Sequence, residues 1–227
     1  MASQRGYAQY VDLLSNRLAH YPIHEGAEDI SGNGNHGLVS GASLTADRWG
    51  NADHAYFFDG IDDKIICGSN MEPVTTSVAV SCWIKAGNSN DYAHIISKYD
   101  YSSDGGFILG IQDGLLKWSG RIGAGQFISM TSITRIDDHQ WHHVLGMIDG
   151  STWSVYVDGI LEKQFSTGFL QTDLDCTEPL AIGMYFRGDK GDHRYFNGTL
   201  DGIIIYNRPL NPCEIEVLYS GVGPGAR

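Results

Sequence analysis

No stretch of the chain approaches the roughly eighteen continuous apolar residues that a membrane-spanning helix needs. Basic charge is scarce as well. Fifteen Lys and Arg stand against 27 Asp and Glu, a formal net charge of −12. Without a basic patch to neutralise phosphates, nucleic acid and anionic membrane are disfavoured as partners. The four cysteines, Cys67, Cys82, Cys176 and Cys213, lie far apart and form no C-x-x-C pair, which argues against zinc. Cys67 and Cys82 fall in apolar, strand-like runs and read as buried free thiols. Also missing are H-E-x-x-H, G-x-S-x-G and a phosphate-binding loop. No apolar signal core follows Met1 to Gly6. The expectation is a chain that is not Sec-exported or whose leader was removed.

What is present points to β structure. Hydrophobic residues make up 42% and aromatics 11%, enough for a substantial core, and 29 glycines imply many turns. Short β-rich runs alternate with turn signals from residue 36 to residue 206. Asp113-Gly114 and Asp158-Gly159 each separate two such runs, which predicts hairpins over 107–119 and 153–165. A first strand is expected over 18–23. One window, 7–18, carries helical periodicity: Tyr7, Tyr10, Val11, Leu14 and Leu18 form an apolar stripe. Pro212 with Glu214 to Tyr219 allows one short terminal turn of helix. The expected organisation is a helical extension over 1–17, one β domain over 18–220, and a flexible tail over 221–227. The fold class is all-β: two curved antiparallel sheets packed as a jelly roll.

Ile203 to Tyr206 read as a strand buried on both faces, stopped by Pro209, with Asp201 at its mouth. A partly buried carboxylate must be paired, hydrogen-bonded or metal-bound. The neighbouring histidines His142 and His143 point to opposite sides of a strand, so they cannot share a metal.

Several blocks in register carry a resemblance. Asp29-Ile30-Ser31-Gly32-Asn33-Gly34-Asn35-His36-Gly37 opens it. Asp47-Arg48-Trp49-Gly50 with Phe58-Asp59-Gly60 follows, then Ser81-Cys82-Trp83-Ile84-Lys85. Trp141-His142-His143-Val144 pairs with Tyr156-Val157-Asp158-Gly159, and Phe196 to Leu210 closes the set. Over about residues 18–220 the chain resembles the laminin-G-like branch of the concanavalin A-like lectin/glucanase superfamily. The resemblance implies a jelly-roll sandwich, one structural Ca²⁺ at an edge, and binding of glycans or proteins at cell surfaces. Carried over, the ion would be held by the Asp29 loop, by Gly60 with Asp59, and by Asp201, an oxygen set of the kind Ca²⁺ prefers. Arg48 is a rival, as an ion-pair partner for Asp29 or Asp59.

Hydrolase relatives use E-x-D-x-x-E on one strand. The nearest match is Asp173-Leu174-Asp175-Cys176-Thr177-Glu178. It has Asp in the first place, Pro179 behind it, and none of the apolar neighbours that raise a general acid's pKa. A non-enzymatic role is therefore expected. Sugar binding uses aromatic faces with polar groups that orient hydroxyls. Two loops offer that mixture: Tyr99 to Asp104, with Tyr101, and Tyr185 to Tyr195, with Tyr185, Arg187, Asp192 and His193. Trp118 and Arg121 are expected to line the concave sheet beside them. The resulting expectation is a calcium-stabilised, lectin-like module for a glycan or a surface protein, extracellular or on a particle surface. The alternative is a structural or decoration protein of a larger particle such as a virus or phage. In that case the N-terminal helix would mediate oligomerisation or docking.

Overall fold

The computed structural model describes residues 11–24, 26–68, 71, 76–87, 92–99, 105–122, 126–168, 174, 176, 178–185 and 194–221. Fifteen strands and one helix lie among them. They are β1 (Arg17–Tyr21), β2 (Gly37–Ser40), β3 (Ser43–Thr45), β4 (Ala55–Asp59), β5 (Lys64–Cys67), β6 (Ser77–Ala86), β7 (Ala93–Tyr99) and β8 (Gly106–Gln112). There follow β9 (Leu115–Ile122), β10 (Gln126–Arg135), β11 (Trp141–Asp149), β12 (Thr152–Val157), β13 (Ile160–Ser166), β14 (Ala181–Ile182), β15 (Asn197–Tyr206) and α1 (Pro212–Ser220).

They form two antiparallel sheets. The first has the order β13-β12-β11-β6-β15-β4-β3, with β1 also pairing to β15; the second has the order β10-β9-β8-β7-β14-β5-β2. This is the jelly-roll sandwich expected from the alternation of short β-rich runs with turns. Both Asp-Gly hairpins form. Asp113 and Gly114 have φ of 53° and 77°, and Asp158 and Gly159 of 51° and 76°, the two positive values that a tight two-residue hairpin turn requires.

Strand alternation fills the space between the sheets. Val78, Val80, Cys82 and Ile84 of β6 face Phe107, Leu109 and Ile111 of β8 and Leu116 and Trp118 of β9 in one core. Trp118 packs on Phe107 and Trp153 at ring-centroid distances of 5.7 and 5.9 Å. Gly146 makes room for it, because a Cβ there would lie 2.4 Å from the indole. His143 is buried and shares a 2.8 Å hydrogen bond with Ser81, whereas His142 turns the other way to Asp158 and Asp138. Cys67 and Cys82 are buried, free thiols. Burial pushes the Cys67 thiol up to about 12, so it is inert at physiological pH.

The N-terminal expectation fails over residues 11–18. Asp12 accepts the backbone N–H groups of Leu14 and Ser15, a local turn that competes with helix. Asn16 is left-handed at φ 56°, and the chain enters β1 one residue later. Leu14 is 74% exposed while Leu18, Ala19 and Tyr21 are buried. Strand pairing with β15 has overridden the helical stripe. Positions 7–10, the first part of that stripe, lie outside the described residues, as does the tail from 222 on.

The one helix among the described residues is C-terminal. Asn211 caps α1 and accepts the Glu214 N–H, and Glu214 accepts the Asn211 N–H in return, a complete capping box. Arg208 grips both oxygens of Glu214 at 2.9 and 3.0 Å and also donates to the Asp12 carbonyl. The two ends of the domain are thereby tied together.

A candidate ligand-binding groove

On the second sheet, the face turned away from the core is aromatic and basic. In β9, Leu116 and Trp118 point inward, so Lys117 and Arg121 point outward. In β8, Ile108 and Gln112 share that outer face. Tyr99, Ile108 and Tyr185 form a buried cluster there, with Tyr92 packed against it. His94 stands edge-on to Tyr92 and Tyr185, with centroids at 4.4 and 5.3 Å. Phe127, 49% exposed, closes one side against Tyr99. Gly110 lets Tyr92 lie over the sheet, because a Cβ there would approach the ring to 2.9 Å. Backbone bonds from His94 to Arg194 (2.9 Å) and from Gly183 to Ile95 (2.8 Å) fasten the Tyr185 and Arg194 segments to β7. Together these groups enclose about 510 Å³, within the range of small-ligand sites.

The groove's polar groups are specific. Lys117 Nζ lies 4.1 Å from the Tyr92 centroid and donates to Gln112 Oε1 at 2.5 Å. The Arg194 guanidinium lies 4.9 Å from the same ring. Arg121 Nε donates to the Tyr99 hydroxyl at 3.0 Å. Burial, reinforced by the charges of Arg194 and Lys117, holds His94 down at about 3. Its imidazole is therefore neutral at physiological pH, and neither ring nitrogen has a hydrogen-bond partner. Burial also raises the Tyr92 hydroxyl to about 12. The arrangement can stack on a flat apolar face and donate hydrogen bonds from several directions.

Two of the residues singled out in the sequence, Arg121 and Tyr185, are in this groove. Trp118 is not. It is fully buried between the sheets, and strand parity explains why: positions 118 and 121 of one strand face opposite sides. Tyr101, Arg187, Asp192 and His193 lie outside the described residues. Sequence reasoning missed Tyr92, His94, Lys117 and Phe127. The alternation Leu116-Lys117-Trp118 was the available signal for Lys117. Tyr92 and His94, two positions apart at the start of β7, share a face by alternation, and Phe127 reaches them only through sheet pairing.

The proposed calcium ligands are spread out. Asp29 is 5% exposed. Its Oδ1 accepts N–H groups of His20 and Ser31, and its Oδ2 accepts the Ser31 hydroxyl and the Asn35 N–H. Those four bonds use its acceptor capacity. Asp201 forms an ion pair with Arg48, whose expected partners were Asp29 or Asp59. Asp59 pairs with Asn197 at the start of β15, four residues before Asp201, or about 13 Å along the strand. That spacing does not bring the Asp59 and Asp201 carboxylates around one ion. Instead Asp59, Asp62 and Asp63 bring carboxylate oxygens within 4.8 Å of one another.

A second, smaller cavity of about 210 Å³ surrounds Asp201 on the outer face of the first sheet. Asp201 sits where β15 changes neighbour, from β4 to β1. Gly202 at φ 56° makes the kink, with a register shift against β6. Arg48 is layered between Trp49 and Trp83, at 3.6 and 4.6 Å from the two rings. Burial raises the Asp201 carboxyl to about 6 against the pull of Arg48. Its own neutralising partner is thus a side chain.

A two-sheet jelly roll with an aromatic groove on an outer sheet face defines a binding-module layout. The family model for the concanavalin A-like lectin/glucanases superfamily matches residues 58–216, and the chain belongs to that superfamily. No curated protein matches it as a relative. Solved structures share the fold at low identity. The binding domain of Paraclostridial Mosquitocidal Protein 1 aligns with TM-score 0.74 and 19% identity, over 92% of this chain and 53% of that one. The botulinum neurotoxin serotype D binding domain gives 0.71 and 17%, over 92% and 51%. A structure of botulinum neurotoxin type C, whose cell entry depends on interaction with two ganglioside molecules, gives 0.70 and 16%, over 92% and 51%. The chain spans about half the length of these structures.

Proposed function

We propose that this domain is a non-catalytic, lectin-like module that binds a glycan of a cell surface in the groove over β7 to β10. The observation that carries the reading is the groove: four aromatic rings, a buried neutral histidine and three cationic side chains around about 510 Å³. Its mixture of flat apolar surface and convergent donors is what saccharide recognition uses. Superfamily membership and the toxin binding domains among its structural neighbours support a binding role. An extracellular or particle-surface setting follows from such a partner. The reading of a docking helix, which favoured a particle-decoration role, has lost its basis over residues 11–18.

We also assign a structural calcium to the Asp59–Asp63 turn. Oxygen donors of this type suit a hard cation. Asp63 is buried, its Oδ2 accepting the Asp59 N–H at 2.8 Å, and Asp62 is exposed. That leaves carboxylate oxygens free to face an ion, which Asp29 and Asp201 do not offer.

The test is a glycan array followed by titration of a hit against Phe127→Ala. Phe127 is half-exposed at the groove edge, so its removal should leave the fold intact. Losing one aromatic contact of about 0.5–1.5 kcal/mol weakens binding by about 2- to 12-fold. An unchanged Kd would take the binding surface away from this groove.

A further inference from the structure

The groove's charge runs against that of the whole protein. The chain carries −12, yet Lys117, Arg121 and Arg194 line one groove, and no carboxylate lines it among the described residues. Two of these cations stand against the same Tyr92 ring. Cation–π attraction holds each to the ring but does nothing for their mutual repulsion. That repulsion is visible in Lys117, held below its ordinary range by burial first and by Arg194 second, with Asp113 opposing. His94 adds a second, independent sign. It is 2% exposed at the groove floor, and both ring nitrogens lack a partner. A buried, unbonded imidazole is costly unless something else supplies the bond.

Resting on the reading of this groove as a glycan site, we infer that it selects saccharides bearing an acidic group. The carboxylate or sulfate is seated against Lys117 and Arg194, with an imidazole N–H of His94 in reach of the same ligand. An anion between two cations on one aromatic ring relieves their repulsion and gains charge-assisted hydrogen bonds. The sugar ring then has the faces of Tyr99, Tyr185 and Phe127 for apolar contact. A neutral saccharide gains the second term without the first.

The experiment is a glycan array carrying three sets on shared core sugars: neutral, carboxylate-bearing (sialylated or uronic) and sulfated. It is run with the native chain and with Lys117→Gln and Arg194→Gln, whose folding is checked by melting. Hits are expected in the acidic sets, at least about 10-fold stronger than on the matching neutral cores. They should fall on raising NaCl from about 0.15 to 0.5 M as screening grows, and fall again in either variant. Comparing the carboxylate and sulfate sets names the acid. Hits spread equally over neutral and acidic glycans, or acidic hits unmoved in both folded variants, overturn the acid selectivity. In the first case the glycan-binding reading still stands. A blank array overturns both.

Discussion

Removing Arg48 tests how Asp201 is held. Asp201 is 4% exposed, and its carboxyl titrates near 6 against an ordinary 3.8, with burial raising it and Arg48 lowering it. The native state therefore binds more proton than the unfolded chain between those two values. Stability falls as pH rises from about 4 to about 6, then levels off. The gap of about two pKa units corresponds to about 3 kcal/mol by which an ionised Asp201 burdens the native state at neutral pH. In Arg48→Met the restraining guanidinium is gone and the folded-state carboxyl titrates higher still. At pH 5 Asp201 is mostly protonated in both proteins. The variant then loses chiefly the stacking of Arg48 between Trp49 and Trp83, about 1 kcal/mol. At pH 8 it must bury an unpaired charge or hold a proton against the solvent, a loss of about 3–5 kcal/mol. For a domain of this size that difference is about 5–15 °C in melting temperature. The assay is thermal unfolding of both proteins at pH 5 and pH 8, with Asp201→Asn/Arg48→Met closing a double-mutant cycle. Equal destabilisation at the two pH values would refute the argument, because it would mean that Asp201's charge is not what Arg48 restrains.

Three further outcomes are expected. Gly146→Ala places a Cβ 2.4 Å from the Trp118 indole and should destabilise by about 1–3 kcal/mol or more, read as a lower denaturant midpoint; a neutral result would put Trp118 elsewhere. Asp29→Ala strands the donors of His20, Ser31 and Asn35, a loss of about 2–5 kcal/mol that EDTA leaves unchanged. Calcium should raise the melting temperature in proportion to the logarithm of its concentration above Kd, and Asp62→Asn should abolish the rise. No calcium-dependent shift at all sinks the site at Asp59, Asp62 and Asp63.

Local chemistry made much of this fold legible. Asp-Gly turns marked the hairpins, Pro212 with Glu214 to Tyr219 marked a short terminal helix, and β-rich runs between turn signals marked most strands. The N-terminal window shows the limit. Its three- and four-residue spacing was real, but Asp12 and Asn16 turn the backbone, and pairing to β15 decided the rest. The sequence alone marks Asp201 as a carboxylate that needs compensation. Its partner came from a turn 153 residues away in sequence, which spacing alone does not choose among several acids. The groove illustrates the same point. Tyr92 and His94 at β7, Lys117 on β9 and Phe127 on β10 come from three strands or their flanks, and the order β10-β9-β8-β7 brings them together. Trp118 shares strand parity with Leu116, and that parity alone places it inside rather than on the groove face.

The position of β15 has a consequence for biosynthesis. It is the last strand among the described residues, yet it lies inside the first sheet, flanked by β6 on one side and by β4 and β1 on the other. Tyr21 of β1 waits for Ile203, a loop closure across most of the chain, so folding is dominated by non-local pairing and is slow. Until β15 emerges from the ribosome, β6 presents an unpaired apolar edge, the kind of surface that recruits other chains. Chains truncated before residue 197 should therefore aggregate rather than accumulate as a smaller folded domain.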